Sequence, residues 1–94
     1  MKIIFPHDLP HYRASELVVV FQAQVKGVAV ECAITVEALE DHFSAASARQ
    51  EDALQAFSTN RAEIEAIALD LLRTENGAAP LIRSGLLRFK DAQK

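Results

Sequence analysis

A chain of 94 residues, half of them apolar, with a formal charge of −3 and one cysteine, is sized for a single domain with one modest core. One cysteine excludes an internal disulfide and metal sites built on CxxC pairs, and it suits a reducing cytoplasm. The acidic balance argues against a general nucleic-acid binder, and no run approaches the ~18 apolar residues of a membrane span.

Met1 to Pro6 holds one lysine and too short an apolar run for a signal peptide, so the expected location is cytoplasmic. Lys2 to Phe5 reads as a short edge strand stopped by Pro6. His7 to Arg13, with prolines at 6 and 10 and Asp8 nearby, reads as an irregular connection.

Ser15 to Val25 carries the first strong strand signal, rich in β-branched and aromatic residues. Its alternation places Leu17, Val19, Phe21 and Ala23 on one face and Val18, Val20, Gln22 and Gln24 on the other. Lys26-Gly27 is the turn, with glycine supplying a positive φ. Val28 to Thr35 alternates again, with Val28, Val30, Cys32 and Ile34 on one face. A two-residue loop pairs Val25 with Val28, Ala23 with Val30, Phe21 with Cys32 and Val19 with Ile34. Both apolar sets then share one side of the sheet.

Thr35 is placed to cap a short helix whose buried side is Val36, Leu39 and Phe43, with Glu37 near its positive end. Ser44-Ala45-Ala46-Ser47 breaks that helix. A long helix follows from about Gln50 to Glu75, roughly 39 Å at 1.5 Å per residue. Its stripe is Leu54, Phe57, Ile64, Ala68, Leu71 and Leu72, opposite a solvated face that includes Glu51, Asp52, Gln55, Glu63 and Asp70. Asn76-Gly77 ends it and Pro80 keeps it from resuming. Leu81 to Phe89, split by Gly85, reads as a last strand with a bulge or bend, and Lys90 to Lys94 as a frayed tail. No repeat or low-complexity segment is evident.

The expected fold is therefore α+β in two layers. An antiparallel sheet, in the order β-β-β-α-α-β along the chain, packs a short and a long helix on one face. The single domain spans 1–94: strands and hairpin over 1–35, helices over 36–75, the last strand over 80–89 and a tail over 90–94.

The spaced pattern Ile3-Ile4-Phe5, Val20-Phe21-Gln22-Ala23 with Gly27, and Val30-Glu31-Cys32-Ala33-Ile34 resembles a known bacterial family. Ala53-Leu54-Gln55-Ala56-Phe57, Arg61, Ile64-Glu65 and Ala68 continue the pattern. The family is that of domain of unknown function 1488, and the resemblance runs from about Ile3 to Leu72. It implies an antiparallel sheet with two helices on one face, and it brings no reaction, ligand or catalytic residue.

Arg61 stands out because it occupies an apolar slot of the long-helix stripe. In one reading its methylenes pack on Phe57 and its guanidinium pairs with Glu65 one turn on. In the other it is a buried fork for a carboxylate, from Asp41, Glu40 or a ligand, or for a phosphate. Cys32 falls on the core face and reads as an inert buried thiol. His7 and His11 have a metal-like spacing with Asp8 between them, but Pro6 and Pro10 disfavour a helix and no third ligand is evident. His42 is expected on the exposed side of the short helix. The acidic residues are spread along helix faces, and no catalytic residue, metal site or cofactor is assigned. Arg83, Arg88, Lys90 and Lys94 make a slightly basic end, too small to claim a nucleic-acid site. Val18 and Val20, with Ala29 and Ala33, would form a mildly apolar outer patch if helices cover only one face.

The expected function is non-catalytic: a small domain that acts by association with a protein partner or with itself. The alternative is a small-molecule or anion-binding protein, or a minor enzyme, using Arg61 in a cleft between sheet and helices.

Overall fold

The hairpin predicted around Lys26-Gly27 forms the centre of the sheet. In the computed structural model, which describes residues 2–87, β3 (Val18–Val25) pairs with β4 (Val28–Thr35) from Val25↔Val28 to Val18↔Thr35. That register contains every predicted pair. Lys26 has φ 53° and Gly27 φ 81°, the two positive values that a twist-matched two-residue turn requires.

The N-terminal segment lies along the outer edge of β3 in two pieces. β1 (Ile3–Ile4) pairs with the end of β3, and β2 (His11–Arg13) pairs with its start. The strand at His11–Arg13 differs from the expected irregular connection. The chain reverses over Ala14 to Leu17, with Leu17 at φ 52°, which lays Tyr12 beside Val19 as an antiparallel neighbour. The prolines at 6 and 10 bracket the length that leaves the ladder, where a missing N–H costs no pairing.

α1 (Val36–His42) begins at Thr35, whose Oγ1 accepts from the Ala38 N–H at 3.0 Å. The chain then breaks over 43–49, as expected. The long helix, however, is two helices: α2 (Gln50–Thr59) and α3 (Arg61–Thr74). Asn60 leaves helical geometry at φ −112°, and its amide donates to the carbonyls of Ala56 (2.9 Å) and Phe43 (3.2 Å). A side chain that bonds nearby carbonyls in this way competes with the helix ladder. The break rotates the buried stripe: α2 buries Ala53, Ala56 and Phe57, and α3 buries Ile64, Ala68 and Leu72, while Leu54 and Leu71 are only partly covered. α3 ends with Asn76 at φ 57° and Gly77 at φ 87°. The Gly77 N–H returns to the Leu72 carbonyl at 2.7 Å, closing a Schellman cap.

β5 (Leu81–Ile82) pairs with β4 in parallel, Ala33↔Leu81 and Ile34↔Ile82, so the sheet is mixed rather than wholly antiparallel. The helical layer acts as the crossover that a parallel connection needs. The path across the sheet is β1-β3-β4-β5, with β2 also on β3. Residues 84–87 are helical, so Gly85 does not mark a bulge in a strand. The rest of the expected strand and the tail lie outside the described residues. The helices cover the sheet face that bears Val19, Phe21, Ala23, Cys32 and Ile34, and Phe21 meets Phe57 with ring centroids 5.0 Å apart.

Val18 and Val20 are buried, at 6% and 2% exposure, although they face away from the helices. The exposed patch expected there is absent, and an ion pair crosses that face. Arg13 sits beside Val18, and Glu31 lies across from Gln22, on the same outer face. The guanidinium spans diagonally over the row of Val20 to meet Glu31, through Nη1 to Oε2 at 3.1 Å and Nη2 to Oε1 at 3.0 Å.

Candidate functional site

Arg61 opens α3 next to the Asn60 break, which turns its side chain toward Phe57 and the N-terminal segment. The guanidinium lies over the Phe57 ring, 5.4 Å from its centroid. Nε donates to Glu65 Oε2 at 2.9 Å, and Nη2 donates to the Pro6 carbonyl at 3.3 Å. Packing on Phe57 with a Glu65 pair is the first of the two sequence readings. Neither Asp41 nor Glu40 is the partner. The added bond to Pro6 makes Arg61 a clamp that holds the proline-bracketed segment against α3. Both side chains of the ion pair are 21% exposed, so this is not a fully buried charge. Arg61→Met keeps the methylene packing and loses the pair and the Pro6 bond, for an expected cost of about 1–2 kcal/mol. Urea denaturation measures it: a cost of roughly 3–5 kcal/mol would mean a truly buried pair, and a change within about 0.5 would mean the clamp contributes nothing.

A second cluster was not foreseen. Ser84, fully buried, donates its hydroxyl to Asp41 Oδ2 in a short hydrogen bond, and its Oγ lies 3.3 Å from His42 Nε2. His42 is thus half-buried against the C-terminal segment rather than fully exposed. The same three residue types make hydrolytic triads, but there the carboxylate holds the imidazole and the imidazole takes the serine proton. Here the hydroxyl proton points at the carboxylate itself. The arrangement ties residues 80–87 to the end of α1, and no local sequence signal joins Ser84 to partners 43 and 42 residues away.

Cys32 is buried on the core face, and its thiol is pushed up to about 12 by burial first and then by the charges of Glu65 and Glu31. A folded-state value above the ordinary 9.0 favours the neutral thiol in the native protein. Its contribution to stability is therefore complete below about pH 9 and is lost as the pH rises from there toward 12. Two outcomes follow. A disulfide reagent at pH 8 labels Cys32 only after denaturant is added, and the alkaline fall in melting temperature is shallower for Cys32→Ala. Prompt labelling of the native protein would contradict the burial.

The Arg13–Glu31 bridge holds Glu31 below the usual carboxylate range, chiefly through the side-chain hydrogen bonds, and raises Arg13 by the same contact. Two surface hollows lie among the described residues. One of about 250 Å³ lies between the loop after α1 and α2, where Asp52 already accepts from Ser47 at 2.6 Å. The other, of about 370 Å³, is rimmed by Glu16, Glu37 and Glu40. His7 lies in the connecting segment and His11 on β2. Among the described residues, no group of three or more His, Cys, Asp or Glu side chains converges as a metal site would require. Arg83 is exposed, and Arg88, Lys90 and Lys94 lie outside the described residues.

The remaining feature is backbone. β5 covers β4 only at Ala33 and Ile34, so among the described residues no strand pairs the outer edge of β4 from Val28 to Cys32. Residues 28, 30, 32 and 34 bond inward to β3, as a two-residue hairpin dictates. The Ala33 N–H points outward, to the Pro80 carbonyl at 3.1 Å, and Ala29 and Glu31 share its orientation. Their N–H and C=O groups face solvent, beside a Val28 that is 66% exposed.

These features define a small two-layer α+β protein whose polar side chains lock the fold together and whose open feature is a strand edge. The chain matches the family described as "Protein of unknown function (DUF1488)" over residues 3–81, and it belongs to that family. It is similar to a solved structure, a protein of unknown function of the same family from Shewanella loihica PV-4. That likeness has 27% identity and a TM-score of 0.75, over 88% of this chain and 97% of that one. No curated protein matches the chain. Among the described residues no helix is long and apolar enough to cross a membrane.

Proposed function

We propose that this protein acts by association with protein, not by catalysis, and that the open β4 edge is its working surface. The observation that carries this reading is the outward row of unpaired backbone groups at Ala29 and Glu31, in a strand whose other side is fully paired. Such an edge is a template for an added strand: main-chain hydrogen bonds supply affinity and alternate side chains supply selectivity. Arg61 supports the anion-binding alternative poorly, because its Nε and Nη2 are already committed to Glu65 and Pro6. The single, buried thiol supports placing the protein in the cytoplasm.

Amide hydrogen exchange in dilute protein tests the reading. Ala29 and Glu31 should exchange much faster than Val30 and Cys32, whose N–H groups bond to β3. Protection of Ala29 and Glu31 in the dilute monomer would mean that the edge is covered within the chain, and the reading would fail.

A further inference from the structure

We propose that Asn76 is a site of spontaneous covalent modification that the cap of α3 holds in check while the chain is folded. Its side-chain amide is lost as ammonia to a succinimide, which opens to isoaspartate. The reaction needs an asparagine followed by a residue that does not crowd its own backbone nitrogen. The Gly77 nitrogen, on losing its proton, attacks Cγ of Asn76. The N–Cγ bond forms, the Cγ–Nδ2 bond breaks, and ammonia leaves with the proton. Water then opens the imide at one carbonyl to give aspartate, or at the other to give isoaspartate, whose main chain runs through the side-chain carbon. Asn76 is exposed, and Gly77 presents no Cβ beside the attacking nitrogen. The other asparagine of the chain supplies the contrast. Asn60 is followed by Arg61, and its Nδ2 is committed to the carbonyls of Phe43 and Ala56.

The fold adds what the dipeptide alone does not show. The attacking nitrogen is the one whose N–H donates to the Leu72 carbonyl at 2.7 Å. Both residues are held in left-handed backbone, Asn76 at φ 57° and Gly77 at φ 87°. Ring closure needs that N–H deprotonated and its peptide plane turned toward Asn76 Cγ. The cap bond must therefore break first, and the chemistry is confined to moments when the end of α3 is open. The product then harms that end in two ways. Either acid puts a negative charge at the negative pole of α3, next to Glu75. Isoaspartate also lengthens the main chain just before residues 78–80. That short link delivers the Pro80 carbonyl to the Ala33 N–H at 3.1 Å and sets β5 against β4.

Peptide mapping by mass spectrometry tests this on the full chain, aged at mildly alkaline pH either folded or in guanidinium chloride. In denaturant Asn76 should convert to a mixture richer in isoaspartate than in aspartate, with Asn60 lagging well behind. In the folded chain Asn76 should convert at least about tenfold more slowly, as a reaction limited to the opened helix end would. No conversion of Asn76 in denaturant, or equal conversion of Asn60, overturns the site. Equal rates for Asn76 in the folded and unfolded chains overturn the role of the cap. Asn76→Asp separates charge from main-chain length, because it carries the charge of the product on an ordinary backbone. The isoaspartate form, isolated by chromatography, should melt below Asn76→Asp and exchange its Ala33 amide faster. If the two match in both respects, the coupling of Asn76 to β5 is overturned.

Discussion

Phe57→Ala is expected to destabilise the protein by about 3–5 kcal/mol, the range for deleting a fully buried aromatic ring. Phe57 has no exposed surface and packs against Phe21 on the sheet, ring centroids 5.0 Å apart and planes tilted by 47°, so it is the contact through which α2 grips the hairpin. It also forms the floor under Arg61. Removing it opens a cavity between layers and leaves the Arg61 clamp without its base. At roughly 0.05–0.15 kcal/mol per residue, a domain of this length has about 5–14 kcal/mol in total, so this one ring is a large share. The urea midpoint should fall steeply with little change in slope. A loss under about 1 kcal/mol would mean that the layers are joined elsewhere, because even mild core truncations cost that much.

Asn60→Ala is expected to cost about 2 kcal/mol, from two lost hydrogen bonds, one of which ties the start of the α1–α2 connection to the helix break. The gain in intrinsic helix propensity at Asn60, about half a kcal/mol or less, offsets only part of that. If α2 and α3 are held apart chiefly by packing, the loss will stay within about 0.5 kcal/mol. If the amide directs the break, the loss will be near the full value, and exchange of the amides just after position 60 will slow as the ladder becomes continuous. The two outcomes separate a local cause of the bend from a tertiary one.

Elements with a short-range physical cause were legible in the residue order. A two-residue loop and a period of two leave one register for β3 and β4, and the residues that make it are all neighbours within the hairpin. Thr35 as a cap and Asn76-Gly77 as a terminator are equally local, since each satisfies backbone groups one turn away. Arg61 was also readable as far as its own helix, because Glu65 is one turn on. Its third contact, to Pro6, joins positions 55 residues apart and has no signature in either segment.

Composition and periodicity were thus enough to specify an α+β chain with a central hairpin, a capped short helix, a buried thiol and no span for a membrane. Everything that depends on which distant surfaces meet was decided by the folded chain. His11–Arg13 becomes a strand only because β3 offers an edge. The helix breaks at Asn60 although its apolar stripe looked continuous. β5 runs parallel because the helical crossover returns it that way, which in turn buries Ser84 against Asp41. Val18 and Val20 face away from the helices, as the alternation required, yet they are buried on a face that the Arg13–Glu31 bridge crosses. Hydrophobic pattern reports which side of an element seeks cover, and the meeting of distant elements determines what supplies it.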